Sequence, residues 1–516
     1  MVKVLQKISD IMRAGEQLRS SYLGIAAVNI GGYSLCSFLD IPTNLKVGTQ
    51  KIRPWSKERL KEFKSDHDVD NISSFIIDEI STSGPEIIAC VDRRLQQATG
   101  DDRVFGNIAV IFLGDYDQLP PVMGDSIPTT IVNLHQRSND LDFLQRRRAL
   151  TVATRGSTLF RDTQHLKLTE QHRSVDPSHT RFIQNLARTG EISIEEMKKL
   201  YKPLTKEDEQ FRHATIVVSG NYERHVINME QSKSWAQSHK THVLKWRRKL
   251  KDWRGKPASV ESMADATKQA CFWETFVSGA LGFVNYNLNT KIGIANGTGI
   301  RYHSVSFEDP KRNEELHSLI ESTPQGGTII LEEPPDYINV EMYPDLDEDT
   351  DDDRQKKKKL RQMWTYGSLD NTGQKIVIPI SAKGAQIKTK LEVVGGSGTA
   401  GYKPSKAELQ DHFPLEPAFA MTVHKAQGRT IKKLILAISK HPLQQLQMKW
   451  ESVYTALTRV RKAEDIRLLI SKRQWGTLDY LSDLSKDIKI QKFFRGYPDI
   501  PNSFVRWDAD LMDGVD

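Results

Sequence analysis

Five consecutive residues, Phe75-Ile76-Ile77-Asp78-Glu79, set an apolar run directly against two carboxylates. A nucleotide hydrolase needs such an arrangement beside Mg²⁺: Asp78 can hold the hydrated metal, and Glu79 can poise the attacking water. By itself the pentapeptide is a common pattern in α/β proteins. A second string, Gly114 to Val122 (GDYDQLPPV), runs from an apolar segment into a polar loop stiffened by Pro120 and Pro121. From such a loop Gln118 can reach a terminal phosphate. A third, Ala420 to Thr430 (AMTVHKAQGRT), gathers Thr422, His424, Lys425 and Gln427 beside Gly428, where backbone can approach a phosphate closely. A fourth, Val453 to Arg461 (VYTALTRVR), is helical in character and delivers Arg459, a side chain able to neutralise charge on a transferring phosphoryl group.

These residues need elements to hold them. Ser74–Ile77, Ile108–Leu113, Thr215–Val218, Leu434–Ile438 and Ile466–Ile470 are short bounded apolar runs, predicted as buried parallel strands whose carboxyl ends open onto a site. Separated by helical stretches, they imply α/β layers. Met1–Met12 has helical apolar spacing. His242–Gly255 (HVLKWRRKLKDWRG) reads as a helix with Val243, Trp246, Leu250 and Trp253 on one face and basic residues elsewhere. Such a helix suits either a solvated face docked by its apolar stripe or a nucleic-acid contact. Asp345–Asp353, an acidic block followed by Lys356–Lys359, reads as a solvated loop. Residues 300–403 are rich in Gly, Thr and Val with short apolar runs, which suits a small β-rich insertion.

Composition removes several classes. The chain has 516 residues, with 38% hydrophobic and 27% charged, a soluble globular profile long enough for two to four domains. Lys and Arg exceed Asp and Glu by 73 to 66, a surplus that permits a nucleic-acid partner without demanding one. Cys36, Cys90 and Cys271 lie too far apart in sequence for a metal-ligand motif, and three cysteines make no disulfide framework. No apolar run suits a bilayer span and the first residues do not read as a signal peptide, so membrane and secreted readings fall away.

In this order the strings resemble the motor core of PIF-like, RecD-related helicases of superfamily one, over nearly the whole chain. Segments around Leu23–Ala27, Ile30–Gly32 and Ser37–Pro42 resemble the family's single-strand-contacting region. Leu168–Ser174 (LTEQHRS) resembles the segment bearing a phosphate-sensing Arg, and Asn221–Asn228 with Thr290–Gly299 resemble strand and turn elements of the second motor domain. The resemblance implies two RecA-like parallel-sheet domains with a small β-barrel-like insertion in the second. The expected bounds are 1–150 for the first domain, 151–300 with 404–490 for the second, 301–403 for the insertion and 491–516 for a tail.

It also implies ATP and Mg²⁺ as cofactors, single-stranded DNA and duplex junctions as partners, and 5′-to-3′ travel. Asp78 would bind Mg²⁺, Glu79 serve as general base, Gln118 sense the terminal phosphate, and Arg173 and Arg459 act as arginine fingers. Gln427 and Gly428 would link nucleotide to DNA. Gly24, Ile25, Ala26, Ser37, Phe38, Thr422, His424 and Lys425 would touch the strand. No protein partner is implied, and a nucleus or mitochondrion would suit in a eukaryote.

Two departures stand out. The family's Gly-Lys-Ser/Thr loop is absent, the one Gly-Lys pair being Gly255-Lys256 before Pro257. That loop cradles the β- and γ-phosphates. Met1–Met12 resembles the helix that follows it, so the first domain is expected to be incomplete, and a remnant that holds nucleic acid without turnover is the rival reading. Cys36 and Leu23 stand where the family usually shows His and Thr.

Overall fold

The computed structural model describes residues 16–42, 52–136, 151–251, 270–289, 294–342, 377–382, 390–393, 405–410, 412–439, 447–470, 478–501 and 503–513. The chain forms two compact units. The first comprises Met1–Ser193, Lys449–Thr455 and Leu481–Asp516, and the second Ile194–Met448 and Ala456–Tyr480.

The first unit is built on a parallel sheet in which β1 (Glu16–Ser21) and β3 (Ile72–Asp78) are central, flanked by β2 (Tyr33–Ser34) and β4 (Ala109–Phe112). Phe75, Ile76 and Ile77 are fully buried on β3, as both faces of a parallel sheet require. The helix Pro85–Thr99 starts with Pro and stops at Gly100, whose φ of +74° a side chain would disfavour. A helix over Thr151–Arg161 meets it backbone to backbone, since a Cβ added at Gly156 would lie 1.8 Å from the Pro85 carbonyl oxygen. Arg155 locks the pair by donating Nε–H to Asp92 Oδ2 at 2.8 Å, and the buried Asp92 also accepts Phe105 N–H at 2.7 Å.

The expected bounds at 150 and 490 differ from these units. Residues up to Ser193 pack with the first unit, and the segment from Leu481 returns to it. The reason is apolar: Ile490 and Phe493, on the helix Ile488–Arg495, share one core with Phe75, Ile77 and Phe160. The expected tail is therefore part of a core.

The second unit contains a parallel sheet ordered Ala420–Thr422, Thr215–Val218, Leu434–Ala437, Ile466–Leu469 and Lys202–Pro203. The chain thus has two RecA-like parallel-sheet folds. Its β-rich part is wider than 301–403. An antiparallel five-stranded sheet joins Val377–Ser381, Tyr337–Met342, Gly299–Ser306, Leu281–Val284 and Leu415–Pro417. Two three-stranded sheets draw strands from as early as Val243 and as late as Gln410, and a helix, Pro310–Ser322, interrupts the region.

Two local expectations are corrected. Val243–Arg247 and Lys249–Lys251, read as one basic helix, are strands. Val243–Arg247 pairs on both edges, with Thr328–Leu331 and Trp273–Val277, so its backbone groups are satisfied by distant partners, and alternation replaces helical spacing. Asn221–Asn228 is the start of the long helix Asn221–His239 instead of a strand or turn, its first turn held by Glu223 accepting the Gly220 N–H at 3.2 Å. Met1–Met12, Thr290–Gly293 and Asp345–Lys359 lie outside the described residues. Among the described residues no helix is long and apolar enough to cross a membrane.

Candidate functional site

In the first unit, β3 ends at Asp78 and the chain turns sharply at Glu79, whose φ of +56° is left-handed and uncommon for a residue with a side chain. The turn is held by short bonds. Asp78 Oδ1 accepts Glu79 N–H at 3.0 Å, Ser21 Oγ donates to the Asp78 carbonyl at 3.1 Å, and Thr82 Oγ1 donates to the Glu79 carbonyl at 2.7 Å.

The adjacent β4 leads into the Gln118 loop, and the two turns are stitched together. Leu113 N–H donates to the Ile77 carbonyl at 2.8 Å, Ile80 N–H to the Leu113 carbonyl at 3.0 Å, and Asp115 N–H to Ser81 Oγ at 3.3 Å. Gly114 makes room for this, since its Cβ would lie 3.0 Å from Ser81 N. Asp78, Glu79 and Gln118 are thereby brought to the carboxyl ends of neighbouring parallel strands.

Gln118 is oriented by a partner that the motif reading did not single out. Its Nε2 donates to Asp115 Oδ2 at 2.8 Å, and its buried Oε1 has no partner among the described residues. Asp115 is itself held, accepting Asp117 N–H at 3.0 Å and facing the Tyr454 hydroxyl at 3.4 Å. Asp117 pairs with Lys486, which comes from the returning C-terminal segment. Burial pushes both Asp78 and Asp117 above the usual carboxylate range, opposed at Asp78 by the Glu79 N–H and at Asp117 by Lys486.

Among the described residues no three His, Cys, Asp or Glu side chains converge to cage a metal. A single carboxylate at Asp78 suits Mg²⁺, which keeps most of its waters and takes phosphate oxygens.

Arg173 lies in a segment without helix or strand, its backbone N–H donating to Gln171 Oε1 at 3.0 Å. The expected strand-contacting residues divide. Gly24 and Ile25 open the helix Gly24–Asn29 half-buried, whereas Ala26 is buried in it. Phe38 is a core residue, packed between Tyr33, Phe63 and Phe75, so its ring is not free to stack on a base. Ser37 is exposed, and beside it the exposed Tyr33, which the sequence did not single out, stacks on Phe38 at 4.6 Å. Arg94 fixes the loop, donating to the carbonyls of Leu39 at 3.0 Å, Arg53 at 2.9 Å and Asp40 at 3.2 Å. Burial pushes the Cys36 thiol up to about 11, so it stays protonated at neutral pH.

In the second unit, Thr422 closes the strand Ala420–Thr422 and is buried, while His424 is exposed on the short turn Val423–Ala426. Lys425 is tied down: its Nζ donates to Asn285 Oδ1 at 2.8 Å and pairs with Glu416. Glu416 also pairs with Arg224, so one buried carboxylate serves two cations. Burial depresses the Lys425 amine and Glu416 opposes that shift. Gln427 is buried, and Gly428 follows with φ of +73°. The Ile431 N–H donates to the Arg459 carbonyl at 2.8 Å, joining the Gln427–Gly428 turn to the Arg459 segment. Arg459 is 1% exposed, with Nη2 donating to Thr458 Oγ1 at 2.6 Å. Glu416 and Arg224 were missed in sequence because they stand 192 residues apart.

Comparison with known proteins follows the same division. Residues 3–186 match the PIF1-like helicase family model, and residues 358–467 match that of the viral superfamily 1 RNA helicase core domain. The chain is 34% identical over 130 residues to the ATP-dependent DNA helicase PIF1 of Saccharomyces cerevisiae (strain YJM789), a stretch covering 24% of this chain and 14% of that protein. It is 23% identical over 509 residues to the uncharacterized protein 030L of Invertebrate iridescent virus 6, covering 88% of this chain and 81% of that one.

Among solved structures, Bacteroides Pif1 bound to single-stranded DNA superposes with a TM-score of 0.54 at 18% identity, over 96% of this chain and 90% of that one. The Bacteroides complex with ADP-AlF3 and single-stranded DNA gives 0.52 at 17% identity, over 93% and 87%. Residues 3–186 thus match the PIF1-like helicase family model, and the chain as a whole has the fold of Pif1 helicases.

Proposed function

We propose that the chain is the motor of an ATP-dependent DNA helicase that moves 5′ to 3′ along a single strand and separates duplex ahead of it, in replication, repair, recombination or telomere maintenance. The observation that carries this reading is the stitched pair of turns placing Asp78, Glu79 and Gln118 at the ends of adjacent parallel strands, with a buried Gln118 acceptor that has no donor among the described residues. The yeast relative's name and the ligands named for the Bacteroides structures support the substrate class.

In this reading ATP with Mg²⁺ supplies the phosphoryl group and the charge that hydrolysis must handle. Asp78 offers one carboxylate to the metal, and its burial penalty is relieved by that charge. Glu79, at the left-handed turn that follows the strand, orients and deprotonates water. Asp115 holds the Gln118 amide so that Oε1 keeps its direction. Arg173 and Arg459 are assigned to charge neutralisation, Gln427 and Gly428 to coupling, and His424 to the strand.

The residues fit Mg²⁺, but the β- and γ-phosphate cradle is not among these 516 residues, because no Gly-Lys-Ser or Gly-Lys-Thr occurs. That absence favours a second form of the same reading: the polypeptide as written binds single-stranded nucleic acid and turns over ATP negligibly. Fluorescence anisotropy with a labelled oligonucleotide, joined to a steady-state ATPase assay, tests it. Salt-sensitive binding with negligible turnover is expected. Turnover near about one per second would overturn the assignment of the cradle.

A further inference from the structure

The turn Val423–Ala426, which carries His424, is four residues long, too short to hold a helical shape on its own. The strands Leu281–Val284 and Leu415–Pro417 grip it. Phe283 and Glu416 stand directly opposite each other in their antiparallel register, so the two side chains share one face of the sheet. Glu416 pairs with Lys425, and Asn285, just past the first of these strands, accepts from Lys425 Nζ at 2.8 Å. Phe283 takes the Arg429 guanidinium, whose carbon lies 4.0 Å from the ring centre. Arg429 Nε in turn donates to the Lys425 carbonyl at 2.9 Å, and its Nη2 donates to the Gly297 carbonyl. Lys425 is therefore held by its side chain and by its backbone at once.

The charges of this turn are engaged inside the protein. The Glu416 side chain is 8% exposed and is shared between Lys425 and Arg224, the latter on the first turn of the helix Asn221–His239. Arg429 is buried. Of Thr422, His424 and Lys425, the three expected here to touch a strand, Thr422 is buried, Lys425 half-buried and His424 exposed. To reach a phosphate, the Lys425 amine would have to leave a buried carboxylate and an amide oxygen. One contact made in water does not offset the loss of a buried ion pair.

We propose that Glu416 is a positioning residue for nucleic-acid binding: it grips Lys425, and that grip, with Asn285 and Arg429, sets the direction in which the turn presents His424. Lys425 acts through the clamp and not as a phosphate contact. The inference rests on the proposed nucleic-acid function and names what holds its contact in the second unit. An acidic side chain thus favours the binding of a polyanion, the reverse of its direct electrostatic effect.

The test uses the full chain and labelled oligo(dT), with affinity measured by fluorescence anisotropy from low to physiological salt. A cation seated on a phosphate adds about 0.7 to the slope of log affinity against log salt. Lys425→Met is expected to weaken binding about five-fold and to leave that slope unchanged. Glu416→Gln keeps the shape and removes the charge. It is expected to weaken binding about five-fold at every salt concentration, although loss of a negative charge would by itself strengthen it. That loss should vanish in a chain that already carries His424→Ala, because Glu416 then has no contact to position. Asn285→Leu removes the amide partner at constant net charge, and it is expected to weaken binding with the slope unchanged. It answers the same question should Glu416→Gln not fold.

If the wild-type chain binds with a steep salt slope, while Lys425→Met lowers that slope by about 0.7 and Glu416→Gln strengthens binding, Lys425 sits on a phosphate. The positioning role is then wrong and the nucleic-acid function stands. An equal loss from Glu416→Gln with and without His424→Ala would also overturn the role, since a merely structural defect does not depend on His424. If the wild-type chain shows no binding at low salt, both fail.

Discussion

Gln118 donates its side-chain amide to Asp115 at 2.8 Å and leaves Oε1 buried, with no partner among the described residues. A buried acceptor without a donor costs on the order of 1–3 kcal/mol, so the loop holds Gln118 against its own solvation preference. Asp115 is the residue that fixes this direction, and Tyr454 and Asp117 surround it.

Asp115→Ala should therefore free the Gln118 amide without opening the core. In a protein supplied with a Gly-Lys-Ser loop, kcat is expected to fall about ten- to a hundred-fold, as for a misplaced group about 1 Å from its working position. The thermal midpoint should hardly move. Steady-state ATPase kinetics beside a melting curve check both, and unchanged kcat would place Gln118 outside the chemistry.

Asp78 should behave as a functional residue that costs stability. Burial raises its pKa above the ordinary value near 3.8, so the folded state binds the proton more tightly than the unfolded chain. Stability from this group is then greatest at low pH and declines as pH rises through the window from the unfolded to the folded pKa. Asp78→Asn keeps an acceptor for the Glu79 N–H and removes the buried charge, so at pH 7 without Mg²⁺ the melting temperature should rise by about 2 °C. The gain should shrink as pH falls through that window. Calorimetry at several pH values reads it, and a lower midpoint for Asp78→Asn at neutral pH would refute the burial argument.

His424 and Lys425 are neighbours that should separate on mutation. His424 is exposed and Lys425 is clamped by Asn285 and Glu416. His424→Ala is expected to weaken oligonucleotide binding with an unchanged melting temperature, and Lys425→Ala to lower both. Glu416→Ala should cost about 3–5 kcal/mol, because it leaves Arg224 buried and Lys425 half-buried without their counter-charge. Denaturant titration of the three variants measures the split, and equal loss of stability for His424→Ala and Lys425→Ala would contradict it.

The residues that carry the motifs were legible where the physics is local. An apolar run closed by Asp78-Glu79 must be a buried strand with a polar end, and Pro120-Pro121 must stiffen a loop. Where partners are distant the sequence misled. Val243–Arg247 has helical apolar spacing and strand alternation at once, and the choice was made by Thr328–Leu331 and Trp273–Val277, far along the chain. Phe38, expected to touch the strand, is packed against Phe63 and Phe75 instead. Residues 481–513 read as the end of one domain and a tail, yet Lys486 reaches Asp117, and Phe493 fills the first core. No local pattern encodes such returns.

Strand displacement tests the helicase assignment most directly. The protein is given an upstream strand and a Gly-Lys-Ser loop, then offered duplexes carrying either a 5′ or a 3′ single-stranded tail, with ATP and Mg²⁺. Unwinding of the 5′-tailed duplex alone, lost in Glu79→Gln while oligonucleotide binding persists, is the expected result. Unwinding that survives Glu79→Gln, or that requires the 3′ tail, would contradict the base assignment or the direction of travel.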